Sequence, residues 1–464
     1  MNSSRSIDRR RRALTRRELL ARAAGGFGAL ALRGLLSDLE AAEAGIDPLS
    51  PRLPHFPARA KRVIFLFMPG GVSHVDSFDP KPALAAAHGK KTGERFLLGP
   101  AWEFRPRGKS GIEVSDLFPH VAGCADRLAI VRSMRTDHGN HFEATLAMHT
   151  GSPTFARPSI GSWISYGLGT WNRDLPSFVV LAPELPYAGG QVWSADFLPG
   201  CHQGCRLVPG PEPVPDVSRK SPTDAAQRLE MDALAARNAR HLDARADDEA
   251  RLEARIRSFE TAFRMQSEAP EAFDLSGETD DTLALYGLER GQTKGFAWQC
   301  LAARRLAERG VRFIELIDVG AGGNWDAHGD MRSHGPLAKN IDKPIAGLIT
   351  DLARRGMLDE TLVVWTTEFG RTPTTPQENG RGRDHHPIAF SSWLAGGGVK
   401  GGIAFGATDE TGTKIVENPV HVHDLHATIL HCLGIDHTRL TYRHGSRDFR
   451  LTDVAGHVVT DILS

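Results

Sequence analysis

The chain is expected to fold as an α/β protein built on a central, mostly parallel sheet flanked by helices. Three observations point there. Five short runs are apolar throughout, the pattern of strands buried on both faces of a parallel sheet. A helical periodicity lies between the third and fourth runs, which is the strand–helix–strand unit of such sheets. Polar residues that can carry chemistry gather where the runs end, the edge at which open α/β sheets bind ligands.

Residues 1–44 read as an address rather than as structure. They hold nine Arg against five acids, and Thr15-Arg16-Arg17-Glu18-Leu19-Leu20 resembles the twin-arginine export motif. The apolar stretch from Ala23 to Leu32 is too short for a permanent anchor, and Ala42-Glu43-Ala44 offers an A-x-A cleavage site. The expected location is therefore periplasmic or secreted. The twin-arginine translocase is the expected partner during export, with no permanent membrane span. Residues 45–60 form a Pro-rich linker, and 61–464 are expected to be one α/β domain.

In that domain the first strand is Val63–Met68, ending at Pro69-Gly70-Gly71. The others are Ser177–Leu181, Val311–Ile317, Thr361–Thr367 and Ile388–Leu394. Leu337, Ile341, Ile345, Leu348 and Leu352 recur at helical spacing, and Gly356 closes that helix. Residues 219–266, rich in Ala, Arg, Asp and Glu, are expected to be an inserted excursion of long, solvated helices. No repeat with a solenoid or propeller period is present.

A composition of 41% hydrophobic and 24% charged residues excludes a disordered chain, a collagen and a polytopic membrane protein. Lys+Arg and Asp+Glu balance at 56 each; beyond residue 44, 47 basic residues face 51 acidic ones, a net charge of −4. Such a protein is a poor nucleic-acid binder. Five Cys rule out a disulfide scaffold. Cys201 and Cys205 read either as two loop thiols or as a pair formed after export, while Cys124, Cys300 and Cys432 sit in apolar helical contexts.

Four loops at strand ends each bring a carboxylate, and three also bring a His. They are Gly70-Gly71-Val72-Ser73-His74-Val75-Asp76, Asn324-Trp325-Asp326-Ala327-His328, Glu368-Phe369-Gly370-Arg371 and Gly382-Arg383-Asp384-His385. Carboxylate oxygens and imidazole nitrogens together suit a divalent ion: Zn or Mn for mixed sets, Ca or Mg for carboxylate-rich ones. The expected metal ligands are His74, Asp76, Asp326, His328, Glu368, Asp384 and His385, the last six converging on one centre. A cation would relieve the mutual repulsion of so many carboxylates. His421, His423, His426 and His431 decorate a helix, with Asp424 at its N-terminal end.

These stretches resemble the DUF-1501 family of exported bacterial proteins, placed in the alkaline phosphatase/sulfatase superfamily. Besides the loops above, Asp137-His138-Gly139-Asn140-His141, Gly396-Gly397-Gly398-Val399-Lys400-Gly401-Gly402 and Arg447-Asp448-Phe449-Arg450-Leu451-Thr452-Asp453 match, so the resemblance runs from about residue 60 to the C-terminus. It implies an alkaline-phosphatase-like sheet. In the order of sulfatase motifs, His74 and Asp76 stand at the first metal loop, Thr150-Gly151 closes the nucleophile segment, and Glu368-Phe369-Gly370 replaces an Asp-His-Gly loop. The resemblance puts His141 at or near the nucleophile position; no Ser, Thr or Cys stands between Asp137 and Ala144.

The expected function is hydrolysis of sulfate or phosphate esters by an exported, metal-dependent enzyme without a Ser, Thr or Cys nucleophile. His138 and His141 would position water or protonate the leaving group, and Arg371 and Arg383 would clamp the anion. The alternative is a catalytically inactive protein of the same fold that binds sulfated or anionic polysaccharide.

Overall fold

The computed structural model describes residues 47–214, 221–243, 261, 263–266, 268–319 and 324–464. The expected export signal lies outside the described residues. The chain divides into two units at Ser50/Pro51. Of the first, residues 47–50 form a turn in which the Leu49 amide donates to Asp47 Oδ1 at 3.0 Å. Everything below concerns the second, Pro51–Ser464.

Its nine-stranded sheet is made of β1 (Arg62–Phe67), β2 (Leu128–Arg135), β3 (Phe178–Leu181), β4 (Cys205–Leu207), β5 (Phe313–Ile317), β6 (Thr361–Thr366), β7 (Phe390–Ala395), β8 (Ile403–Phe405) and β9 (Val420–His421). The order across the sheet is β8-β2-β7-β6-β1-β5-β3-β4, with β9 also pairing with β2. Only β7 runs against the rest. All five expected strands form, within two residues at each end. β2 was not foreseen, because Arg132 and Ser133 interrupt its apolar run.

Alternation along β1 shows how two cores arise. Ile64 and Leu66 pack into one cluster, with α3 (Phe296–Glu308) and α4 (His334–Arg354). Val63, Phe65 and Phe67 pack into the other, with α1 (His141–Thr150), α2 (Ile160–Leu168) and α5 (Val422–Cys432). Five of the six β1 side chains are fully buried, each contributing about 1.5–3 kcal/mol of apolar transfer. α4 is the expected helix, closed by Gly356 at φ 67°.

In the expected excursion at 219–266 the described residues include the helix Asp224–Asp243 and further helical residues at 261 and 263–266; residues 244–260 lie outside the described residues. Among the described residues no helix is long and apolar enough to cross a membrane.

Because β7 is antiparallel, its first residues lie at the edge where β1, β2, β3, β5 and β6 end. Loops before β7 and after those five strands therefore meet at one place. That place is the candidate site.

Candidate metal centre

Each loop delivers its side chain for a local reason. His141 is the first residue of α1, whose N-terminus is capped by Asn140 Oδ1 accepting from the Phe142 amide at 3.0 Å. In Trp325-Asp326-Ala327-His328, Trp325 and Ala327 are buried, which turns Asp326 and His328 outward. The Trp325 indole N–H is held by Asp318 Oδ2 at 3.0 Å. Gly70, at φ 115°, lets the β1 loop press on this segment: a Cβ there would stand 2.7 Å from the Asp326 amide nitrogen. His385 sits on a two-residue ribbon opposite Arg371.

Three imidazoles meet at Asp326. His141 Nε2 lies 3.3 Å from Asp326 Oδ2. His328 Nε2 and His385 Nε2 lie 3.0 and 3.4 Å from Asp326 Oδ1, and 3.0 Å from each other. Each ring is held from behind through its other nitrogen. His141 Nδ1 donates to Glu368 Oε1 at 2.6 Å, His385 Nδ1 donates to the Gly139 carbonyl at 2.6 Å, and His328 Nδ1 faces Asp384 Oδ1 at 3.4 Å. Fixing Nδ1 in this way leaves the Nε2 lone pair for the centre, which is how metal-binding histidines are oriented.

The donor set fits a divalent ion. His141 Nε2 is buried and has no hydrogen-bond partner in spite of its contact with Asp326. Donor separations of 3.0–3.4 Å match the roughly 3.3 Å edge of a tetrahedron with ~2.0–2.1 Å ligand bonds. His141, Asp326 and His385 can each direct one ligand atom to a common point, and His328 adds a fourth.

Without an ion, a proton fills the gap. Burial opposes a charged His141, but Asp326 and Glu368 outweigh it and push the ring up to about 9. Burial likewise opposes an ionised Asp326, but bonds from His141, His385 and Arg371 hold the carboxyl well below the usual range.

The outer shell differs from the sequence expectation. Glu368 is completely buried and accepts from His141, the Gly70 amide at 2.8 Å and Thr367 Oγ1 at 3.0 Å, so it stands behind His141 instead of facing the centre. Asp384 stands behind His328 and is paired with Arg95 at 2.5 Å. Arg371 is buried with its fork turned inward, donating to the Gly71 and Gly70 carbonyls, to Arg383 O and to Asp326 Oδ1. It braces Asp326 and has no free face for an incoming anion.

Asp76, His74 and Arg383 are not brought into the cluster. The Asp76 carboxylate accepts from Arg383 Nε at 2.9 Å, Ser73 Oγ at 2.5 Å and the Ala101 amide at 2.7 Å. Arg383 gives its remaining contacts to the carbonyls of Leu98, Thr372 and Gly99. His74 Nε2 donates to the Gly412 carbonyl at 2.9 Å, and its ring stacks on His386. Burial drives His74 down to about 4, so it is neutral. His138 lies on the loop between β2 and α1, half-buried, and the residues of that loop that reach the cluster are Gly139 and His141.

Sequence reading missed Tyr187, whose ring lies flat on His141 at 4.2 Å, and Arg95, which holds Asp384. Phe369, in the segment that replaces an Asp-His-Gly loop, packs on His141 and His385 with ring centres 4.8 and 4.5 Å away.

A sequence profile described as "Protein of unknown function (DUF1501)" matches residues 60–463. The chain belongs to this family. No curated protein matches it. Solved structures similar to the chain include a PsFucS1 sulfatase from Pseudoalteromonas sp., at 13% identity and TM-score 0.34, covering 86% of this chain and 70% of that one. Others are Ps i-CgsB, at 12% identity, TM-score 0.38 and coverages of 82% and 72%, and an alkaline phosphatase from the Antarctic bacterium TAB5, at 11%, 0.31, 73% and 92%.

Proposed function

We propose that this member of the DUF1501 family is an exported, metal-dependent hydrolase of sulfate or phosphate esters. The observation that carries the reading is the convergence of three back-braced imidazole Nε2 atoms on one carboxylate. His141, Asp326, His328 and His385 would hold the ion; three nitrogens and one carboxylate favour zinc or manganese over calcium or magnesium. A bound ion would polarise an ester oxygen and lower the pKa of a water molecule toward neutrality. Glu368 and the Gly139 carbonyl take up the outward protons of His141 and His385, and Arg371 keeps Asp326 ionised. Tyr187 covers one face of His141 against solvent. His138, on the loop that carries Gly139, is proposed as the group that protonates a leaving oxygen.

One observation favours a second reading, a catalytically silent protein that binds anionic polysaccharide: both Arg371 and Arg383 are committed inward. Elemental analysis followed by a panel of aryl sulfates and aryl phosphates, with Zn, Mn, Mg or Ca added, separates the two. Turnover that a chelator abolishes supports the hydrolase; bound metal without turnover of any ester supports the silent protein. If the protein shows neither stoichiometric metal nor metal-dependent turnover, the metal centre itself is overturned. Export completes the proposal: lysine at Arg16 and Arg17 should retain the precursor in the cytoplasm, and normal export of that variant would refute the twin-arginine route.

A further inference from the structure

A second feature lies against the wall of the candidate centre. A cleft of about 390 Å³ is bounded by Ala85, His88, Leu98–Ala101, Asp330–Arg332 and Arg381. Asp330 follows His328 by two residues, and Arg381 precedes Asp384 by three. The two segments touch so closely that a Cβ on Gly382 would stand 1.7 Å from the His328 carbonyl oxygen. Cleft and centre therefore share one piece of backbone.

The cleft offers donors and has its acceptor already used. Asp330 takes Arg381 Nε at 3.2 Å through Oδ2 and the Arg332 amide at 2.9 Å through Oδ1. The Met331 amide donates to the Arg381 carbonyl at 2.8 Å, which staples the two Arg-bearing segments together. With its Nε held, Arg381 has its terminal nitrogens to offer. The Arg332 guanidinium has no protein partner among the described residues. His88 Nδ1 accepts from the Gly99 amide at 3.1 Å, which places its proton on Nε2 and makes that atom a donor. Beneath these groups Leu98 and Met331 pack with Ala327 into a small apolar floor.

We propose that this cleft binds an anionic substituent (sulfate, phosphate or carboxylate) on the part of the substrate beyond the reacting ester. The assignment rests on the hydrolase reading for its place beside the centre. It also explains how an anion can be recognised by a chain whose two loop arginines face inward. Arg332 and Arg381 provide the fork geometry that such groups accept, and the apolar floor suits the carbon skeleton that bears them.

The test is binding, measured in chelator so that it is independent of turnover. Short dextran sulfate, polygalacturonate oligomers, inorganic phosphate and uncharged dextran are titrated into the parent, Arg332→Ala, Arg332→Lys, His88→Ala and, as a charge control on another ribbon, Arg443→Ala. Arg332→Ala should weaken the anionic probes about tenfold or more, the loss of a charge-assisted hydrogen bond, and leave uncharged dextran unchanged. Arg332→Lys should recover part of the loss, and which anion binds tightest names the substituent. Equal binding by Arg332→Ala and the parent, or an equal loss in Arg443→Ala, overturns the proposal. A protein that turns over no ester yet shows Arg332-dependent binding would sink the hydrolase and leave the cleft standing.

Discussion

Asp76 and Asp326 follow neighbouring strands at the same edge of the sheet, yet their carboxylates do opposite things. Asp76 is fully buried and answered by Arg383, Ser73 and the Ala101 amide. Every charge in that group is neutralised within the protein, and Arg383 spends its other donors on backbone carbonyls. Asp326 is partly exposed and faces three imidazoles whose second nitrogens are engaged behind them. One cluster has its valences closed, so it fixes loops. The other has lone pairs converging on a point, so it has coordination to offer. Residue type and position after a strand do not distinguish them. Partner geometry does.

The largest effect should come from breaking the closed cluster. Arg383→Met would leave the Asp76 carboxylate buried without its cation, and removing one partner of a buried pair costs about 3–5 kcal/mol. Urea unfolding of the metal-free protein should show this loss, while metal affinity of the folded fraction stays near the parent's. A variant as stable as the parent would mean that the pair is not closed. Next comes the open cluster. Asp326→Ala removes the carboxylate at which the three imidazoles meet. Its metal affinity should fall by more than the roughly 10–100-fold typical of a lost supporting partner, and metal-free stability should fall as well, because the buried Arg371 loses its carboxylate. Competition against a chromophoric chelator measures it. Unchanged affinity would place the ion elsewhere.

Much of the fold was legible because buried strands are short apolar runs with few alternatives. β2 was not: Arg132 sits within it and is accommodated by donating to the Phe78 carbonyl at 2.8 Å, a partner no local pattern shows. The direction of β7 is also silent in its own residues. It follows from connectivity, since no helix intervenes between the end of β6 and Phe390 to carry a crossover. Of the four loops singled out by their Asp, Glu, His and Arg content, two send side chains to the cluster through Asp326, His328 and His385, Glu368 of a third stands behind His141, and His74 and Asp76 of the first lie outside it. The division between ligand and support was not legible, because a carboxylate that binds an ion and one that binds the imidazole behind it differ by one side-chain length. Glu368 illustrates this: it follows β6 as expected, but the Gly70 amide and Thr367 hold it behind His141. Tyr187 carries no signal, as an aromatic in a Pro-flanked loop is usually only a surface residue.

The smallest effect sharpens the same contrast through histidine charge. His141, between two carboxylates, is pushed up to about 9, whereas His426 in α5 is driven down to about 3 by burial and then by repulsion from His423. With an unfolded value near 6.5, the unfolded chain binds more protons than the folded one between about pH 3 and 6.5. Stability should therefore fall as pH drops through that window, by up to ~1.4 kcal/mol per pH unit for each such imidazole. His74, His334 and His386, at about 4, 3 and 3, act in the same direction. His426 Nε2 donates to the Met148 carbonyl at 2.7 Å. His426→Gln can put an amide N–H near that position, and it cannot titrate. Its stability profile from pH 6.5 to 4, followed by urea unfolding, should be shallower than the parent's by up to one proton's slope. Parallel profiles would show that His426 is not held neutral in the fold, and the division between a closed interior and an open, cation-seeking cluster would lose its electrostatic basis.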